Sequence, residues 1–266
     1  MNKCFLIIAI TVLMIISAVG CSNKGAQGTL VPLSIEFDNI AGEQNLQLGT
    51  GVYRNAEGET YSVDFLQYYI SNISLTRTDG FTYTVPQDSS YFLIREEDPK
   101  TRFANVKVPE GEYSRLTFMV GVDSLRNTMD ISKRTGVLDP AGGMEGMYWE
   151  WNSGYIFFRM EGTSFAVPAT IDAKQRFRFH IGGFGGISAP TINNIKTISI
   201  DLTAGGTALV KKGAHSNIHL MVDIMKVFDG PSQVRLKDHS QVMFSDYSAS
   251  IAKNYSTMFR HDHTEN

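Results

Sequence analysis

Two tryptophans and six histidines carry most of the chemistry open to this sequence. Trp149 and Trp151 are its only indoles, two residues apart in GMYWEWNSGYIFFRM, and an extended backbone turns both to one face. Paired indoles are ordinarily core, and they can also line a redox or ligand site. His180 ends the run RFRFH, in which Phe177 and Phe179 take one side of a strand and Arg176, Arg178 and His180 the other. His219 lies inside the alternating run Ile218, Leu220, Val222, Ile224. His215 and His219 have the i, i+4 spacing of a helical metal pair, but the alternation predicts a strand there and the pair is discounted. His261 and His263 form an H-x-H pair whose imidazoles share a face in a regular strand. A single histidine of this kind is commonly structural; several together suggest a metal, and imidazole is a good copper ligand.

Cysteine usage narrows the donor set. Lys3, the apolar run from Phe5 to Val19 and the small residues before Cys21 describe a bacterial lipoprotein leader. Residues 1–20 are expected to be the signal peptide and Cys21 the lipidated first residue of the mature chain, anchored by its acyl chains. Cys4 leaves with the leader, so the folded part has no disulfide and no free thiol. Zinc ribbons, iron–sulfur clusters and thiol catalysis are thereby excluded. Any metal must be held by nitrogen, oxygen or thioether, and nine of the 11 methionines lie beyond the leader.

The elements that must position these side chains read as strands. Residues 21–31 form the lipidated cysteine and a polar tether, and residues 32–266 a single domain. PLSIEF (32–37), LQYYISNISLTR (66–77), the alternation Leu116, Phe118, Val120, Val122 and the runs at 176–180, 195–202 and 218–224 each fit a strand. Asp79-Gly80 marks a hairpin turn. Leu125 to Gly146 is a long irregular segment, a length that usually serves function. Ile251, Tyr255, Met258 and Phe259 fall at helical spacing. The expected fold is all-β, a sandwich of antiparallel strands with a short C-terminal helix. A net charge of −3 gives no nucleic-acid or polybasic membrane surface. There is no GxSxG, HExxH, Walker or CxxC motif, so a non-enzymatic protein is expected.

GVDSLRN (121–127), GVLDP (136–140), GMYWEWNSGYIFFRMEG (146–162), FRFHIGG (177–183) and HLMVDIMKVFDGP (219–231) together resemble the MbnP-like family, as does LQYYISNISL (66–75). That family comprises periplasmic or lipid-anchored proteins found beside methanobactin copper-handling genes. The resemblance implies a copper-binding protein of the bacterial cell envelope, facing periplasm or cell surface, that serves copper acquisition or storage. It also implies a di-haem partner of the MauG and cytochrome c peroxidase type that oxidises a tryptophan to kynurenine. Carried onto this chain, the candidates are Trp149 or Trp151 for modification and His180, His219 and His263 as copper ligands, with Asp223 or Glu150 orienting the imidazoles. The cysteine quartet of one branch is absent, and Glu265 stands where a further histidine is expected. The competing reading is a non-catalytic surface module whose Trp149, Trp151, Tyr155 and Phe184 form an aromatic patch for glycan or protein contact.

Overall fold

In the first strand, β1 (Leu30–Ala41), Val31, Leu33, Ile35 and Phe37 are buried while Ser34, Glu36 and Asp38 are half-buried. That period of two sends one set of side chains to a core and the other to an outer face. The computed structural model describes residues 28–151 and 154–266. The expected signal peptide, the expected lipidation site Cys21 and most of the expected tether lie outside the described residues. No helix among those residues is long and apolar enough to cross a membrane.

Nine more strands of five or more residues follow: β2 (Thr60–Arg77), β3 (Tyr91–Arg95), β4 (Phe103–Pro109), β5 (Gly111–Val120), β6 (Gly154–Thr163), β7 (Arg176–Gly182), β8 (Lys196–Asp201), β9 (Ser216–Asp223) and β10 (Phe259–Glu265). β10, β9 and β1 form the smaller sheet, with β4 on the far side of β1. The larger sheet runs β8-β5-β2-β6-β7. Leu33, Ile35, Phe37, Ile218, Leu220 and Val222 from one sheet join Tyr68, Ile70, Phe158, Phe177 and Phe179 from the other in one apolar core. The all-β sandwich expected from the sequence is the fold observed. Within it β1 and β9 run parallel, with Glu36 opposite His219.

β2 departs from simple alternation. Its inward residues are Tyr61 and Val63, then Leu66, Tyr68 and Ile70, then Ile73 and Leu75. Each change of parity coincides with a break in register, at Glu161/Gly162 against β6 and between Ser71 and Ser74 against β5. Asn72 at the second break has φ 52°, a left-handed conformation that asparagine tolerates. The extra residue at each break returns the apolar side chains to the core.

A short helix α1 (Ser124–Thr128) and two 3₁₀ turns lie in the long irregular segment. The segment lies on the outer face of the larger sheet, where Val122, Leu138, Met147 and Trp149 join Tyr69, Tyr155 and Phe157 in a second apolar cluster. Tyr155 and Tyr69 donate hydroxyl bonds to the carbonyls of Leu138 (2.5 Å) and Val137 (2.7 Å), pinning the segment down. At the other end of the chain the helix α2 (Ser248–Tyr255) is shorter than its periodicity suggested: Phe259 opens β10, whose pairing with β9 takes over.

Candidate metal centre

β9 directs Asn217, His219, Met221 and Asp223 to the outer face of the smaller sheet, because Ile218, Leu220 and Val222 take the core. β10 pairs with β9 so that His263 lies opposite His219, and His261 opposite Leu220. Asp262 is therefore one residue more than the ladder needs. This bulge turns Asp262 and His263 to the same face. Nδ1 of His219 lies 3.3 Å and Nδ1 of His263 2.8 Å from Oδ2 of Asp262. The two imidazole centroids are 4.9 Å apart.

The donor atoms of His219, Asp262 and His263 all fall within 4.8 Å of one another. With Nδ1–H of each ring donating to Asp262, the Nε2 lone pairs are left for a metal, an orientation that ligating histidines commonly obtain from a carboxylate. Asp38 of β1 adds a second carboxylate, its Oδ2 3.7 Å from Nε2 of His219. Asp38 is in turn 3.9 Å from Arg102, which bonds the buried Glu96 at 2.6 Å. Bonding to His263, and then to His219, holds the Asp262 carboxyl below its usual range, and the same bond raises His263. Two imidazoles with carboxylates suit divalent copper or zinc, and the thioether of Met221 on the same face suits the reduced copper ion.

The other half of the expected H-x-H pair is not in this group. His261 faces the opposite way, Nε2 2.9 Å from the Thr264 hydroxyl and against Gly205, and burial lowers its pKa. A regular strand would have put both imidazoles on one face; the bulge at Asp262 separates them.

His180 is also elsewhere. β7 turns it to the outer face of the larger sheet, where Nε2 lies 2.9 Å from Oε1 of Glu161 and Arg159 is its cross-strand neighbour. Bonding to His180 and Arg159 depresses the Glu161 carboxyl to about 2. His180 thus shares a face with Gly182, over which the Trp149 ring is packed: a Cβ at Gly182 would stand 2.7 Å from Trp149 Cζ3. The sequence's ligand candidates are therefore divided, His180 with the indoles on one outer face and His219 with His263 on the other. The imidazoles do not all converge on the tryptophans, because alternation in β7 and β9 points each histidine away from the shared core.

Trp149 is 6% exposed and Trp151 67% exposed, their ring centroids 5.3 Å apart with Phe244 edge-on to both. The four-membered aromatic patch does not form, since Trp149 and Tyr155 are buried in the second cluster. Asp223 accepts the backbone N–H groups of Gly42 and Met225 and so caps a turn instead of orienting an imidazole. Glu150 is exposed. Asp262 stands in the orienting position while Asp38 faces the other nitrogen of His219, and the sequence offered no signal for Asp38 because only the parallel β1–β9 pairing brings it there.

No curated protein matches the chain. Among solved structures it is similar to MbnP from Methylosinus trichosporium, with a TM-score of 0.55, 16% identity and 82% of each chain covered. The MbnP family model matches residues 31–244, most of the chain and all ten strands but the last, and on that match the chain belongs to the MbnP family.

Proposed function

We propose that this protein is a lipid-anchored copper-binding protein of the bacterial cell envelope, acting in copper acquisition or storage and not itself an enzyme. The observation that carries the reading is the Asp262-centred imidazole pair, His219 and His263, on rigid paired strands. Nε2 of each ring would hold the ion, with the carboxylates of Glu265 (3.6 Å from His263 Nε2) and Asp38 (3.7 Å from His219 Nε2) beside them and Met221 on the same face. Bound copper there would be shuttled or stored.

The indole pair supports a second part of the reading, that the protein is the substrate of a di-haem MauG-like partner which oxidises a tryptophan to kynurenine. Trp151 is the indole an external oxidant reaches first, and Trp149 lies directly behind it. His180, on the face that Trp149 covers, is the imidazole placed to work with a modified indole.

The experiment is elemental analysis and copper titration of the purified chain, alone and after co-expression with a di-haem partner, with the intact mass of the peptide holding both tryptophans. Copper retained by the native chain and lost in His219→Ala and His263→Ala supports the first part. A native protein that takes up no copper in either state would sink it. An unmodified tryptophan peptide in the presence of the active partner would sink the second part.

A further inference from the structure

Arg134 lies in the segment that covers the larger sheet and is 7% exposed. Its Nε and Nη2 donate to the carbonyls of Met129 (3.1 and 2.9 Å), and Nη2 also to that of Asn127 (2.8 Å). Among the described residues no carboxylate lies within ion-pair distance of it, and Nη1 has no partner. Its positive charge rests instead on two aromatic faces, 5.4 Å from the centroid of Tyr148 and 5.3 Å from that of Tyr155. A buried cation without a directly paired carboxylate is costly, and here backbone carbonyls and the two ring faces hold it.

Those rings continue the indole pair inward. Trp151 and Trp149 are 5.3 Å apart. Tyr148 is next to Trp149 in the chain, Tyr148 and Tyr155 are 5.2 Å apart, and Tyr155 and Tyr69 5.7 Å. An electron hole placed on Trp151 would thus need one step along the backbone, from Trp149 to the adjoining Tyr148 in the same apolar cluster, to reach the tyrosine rings. We propose that Arg134 is a specificity-determining residue for oxidation of this chain: its guanidinium confines an oxidising equivalent to Trp149 and Trp151. The proposal rests on the reading that the indoles are the residues oxidised.

The chemistry follows from charge and proton balance. A one-electron oxidant takes one electron from the Trp151 indole and is itself reduced by one. The indole radical cation then releases its N–H proton to water, which Trp151's exposure permits. For the hole to move on, Tyr148 or Tyr155 would have to carry positive charge beside a fixed cation, or lose its phenolic proton. The cation–π attraction becomes a repulsion in the first case. The second lacks a base: Tyr155 donates to the Leu138 carbonyl, Tyr69 to that of Val137, and the buried Tyr148 hydroxyl has no partner.

The test uses the mature full chain and a photogenerated ruthenium(III) tris-bipyridine oxidant, with products located by peptide mass spectrometry and dityrosine fluorescence. In the native chain tryptophan products should exceed those at Tyr148, Tyr155 and Tyr69 by at least about tenfold. Arg134→Met should bring tyrosine products to the level of tryptophan products, and Arg134→Lys should restore the native pattern. A merely structural role for Arg134 would not be rescued in product distribution by the lysine. Should Arg134→Met fail to fold, Trp151→Phe decides: with Arg134 intact, total oxidation should fall without new tyrosine products. Tyrosine products in Trp151→Phe at the native total yield, or an unchanged pattern in folded Arg134→Met while the tryptophans still react, would overturn the proposal alone. No tryptophan oxidation in the native chain would overturn the underlying reading with it.

Discussion

Asp262 and His263 are consecutive residues whose side chains lie on the same face of a strand, with Oδ2 of the first 2.8 Å from Nδ1 of the second. A regular strand cannot do this; one surplus residue in β10 can. The surplus residue is also the carboxylate that both imidazoles share, so the irregularity and the candidate site have one origin.

His263 is about half exposed and His219 half-buried, and neither packs in the core. His263→Ala should therefore leave thermal stability within about 0.5 kcal/mol of native. Asp262→Asn should lower copper affinity roughly ten- to a hundredfold by releasing both rings. Copper titration followed by calorimetry, with thermal melts of the apo proteins, checks both. A His263→Ala variant with native affinity would remove it from the ligand set.

His180 should behave differently. Its bond to Glu161, with that of Arg159, holds the carboxyl at about 2 in the fold against 4.5 for the free group. A depressed carboxylate stabilises the fold above its unfolded value and gives that stability up as pH falls. His180→Gln should then narrow the difference in stability between pH 5 and pH 2, with no change in metal binding at His219 and His263. Urea melts across that range measure it.

Gly182 is the floor beneath Trp149. A Cβ there would stand 2.4 Å from the Tyr155 carbonyl oxygen and 2.7 Å from the Trp149 ring. Gly182→Ala should cost about 1–3 kcal/mol and shift tryptophan emission to the red as Trp149 lifts into water. An unshifted spectrum would mean the ring does not rest there.

Glu59 is buried and accepts the backbone N–H groups of Leu236 (2.7 Å) and Lys237 (3.1 Å) and the Asn55 amide (2.8 Å). Glu59→Ala leaves those donors unpaired and should cost about 2–3 kcal/mol. Hydrogen exchange should accelerate most at Leu236 and Lys237; uniform acceleration over the chain would contradict a local clip.

How much of this was legible in the sequence depends on range. Alternation in RFRFH and in HLMVD fixed which side His180 and His219 face, since that information is local. The position of Asp262 opposite His219 was not legible, because a bulge is defined only against a partner strand. Asp38 was missed for a similar reason: it reaches His219 through a parallel pairing between the two ends of the domain. The buried state of Trp149 follows from a loop folding over the outer face of the sheet, whereas Trp151, two residues on, points to solvent with the same local pattern.

The parallel pairing of β1 with β9 also bears on how the protein is made. β1 is the first of the ten strands to be synthesised, yet the strand beside it, with Leu33 opposite Ser216, is among the last, and β10 after it closes the sheet. Contacts so distant in sequence form late and slowly. Until the C-terminal strands arrive, one long flank of β1 has its N–H and C=O groups open. The smaller sheet can therefore close only once the last strand of the chain has been made, and the imidazole pair on β9 and β10 comes into being with that closure.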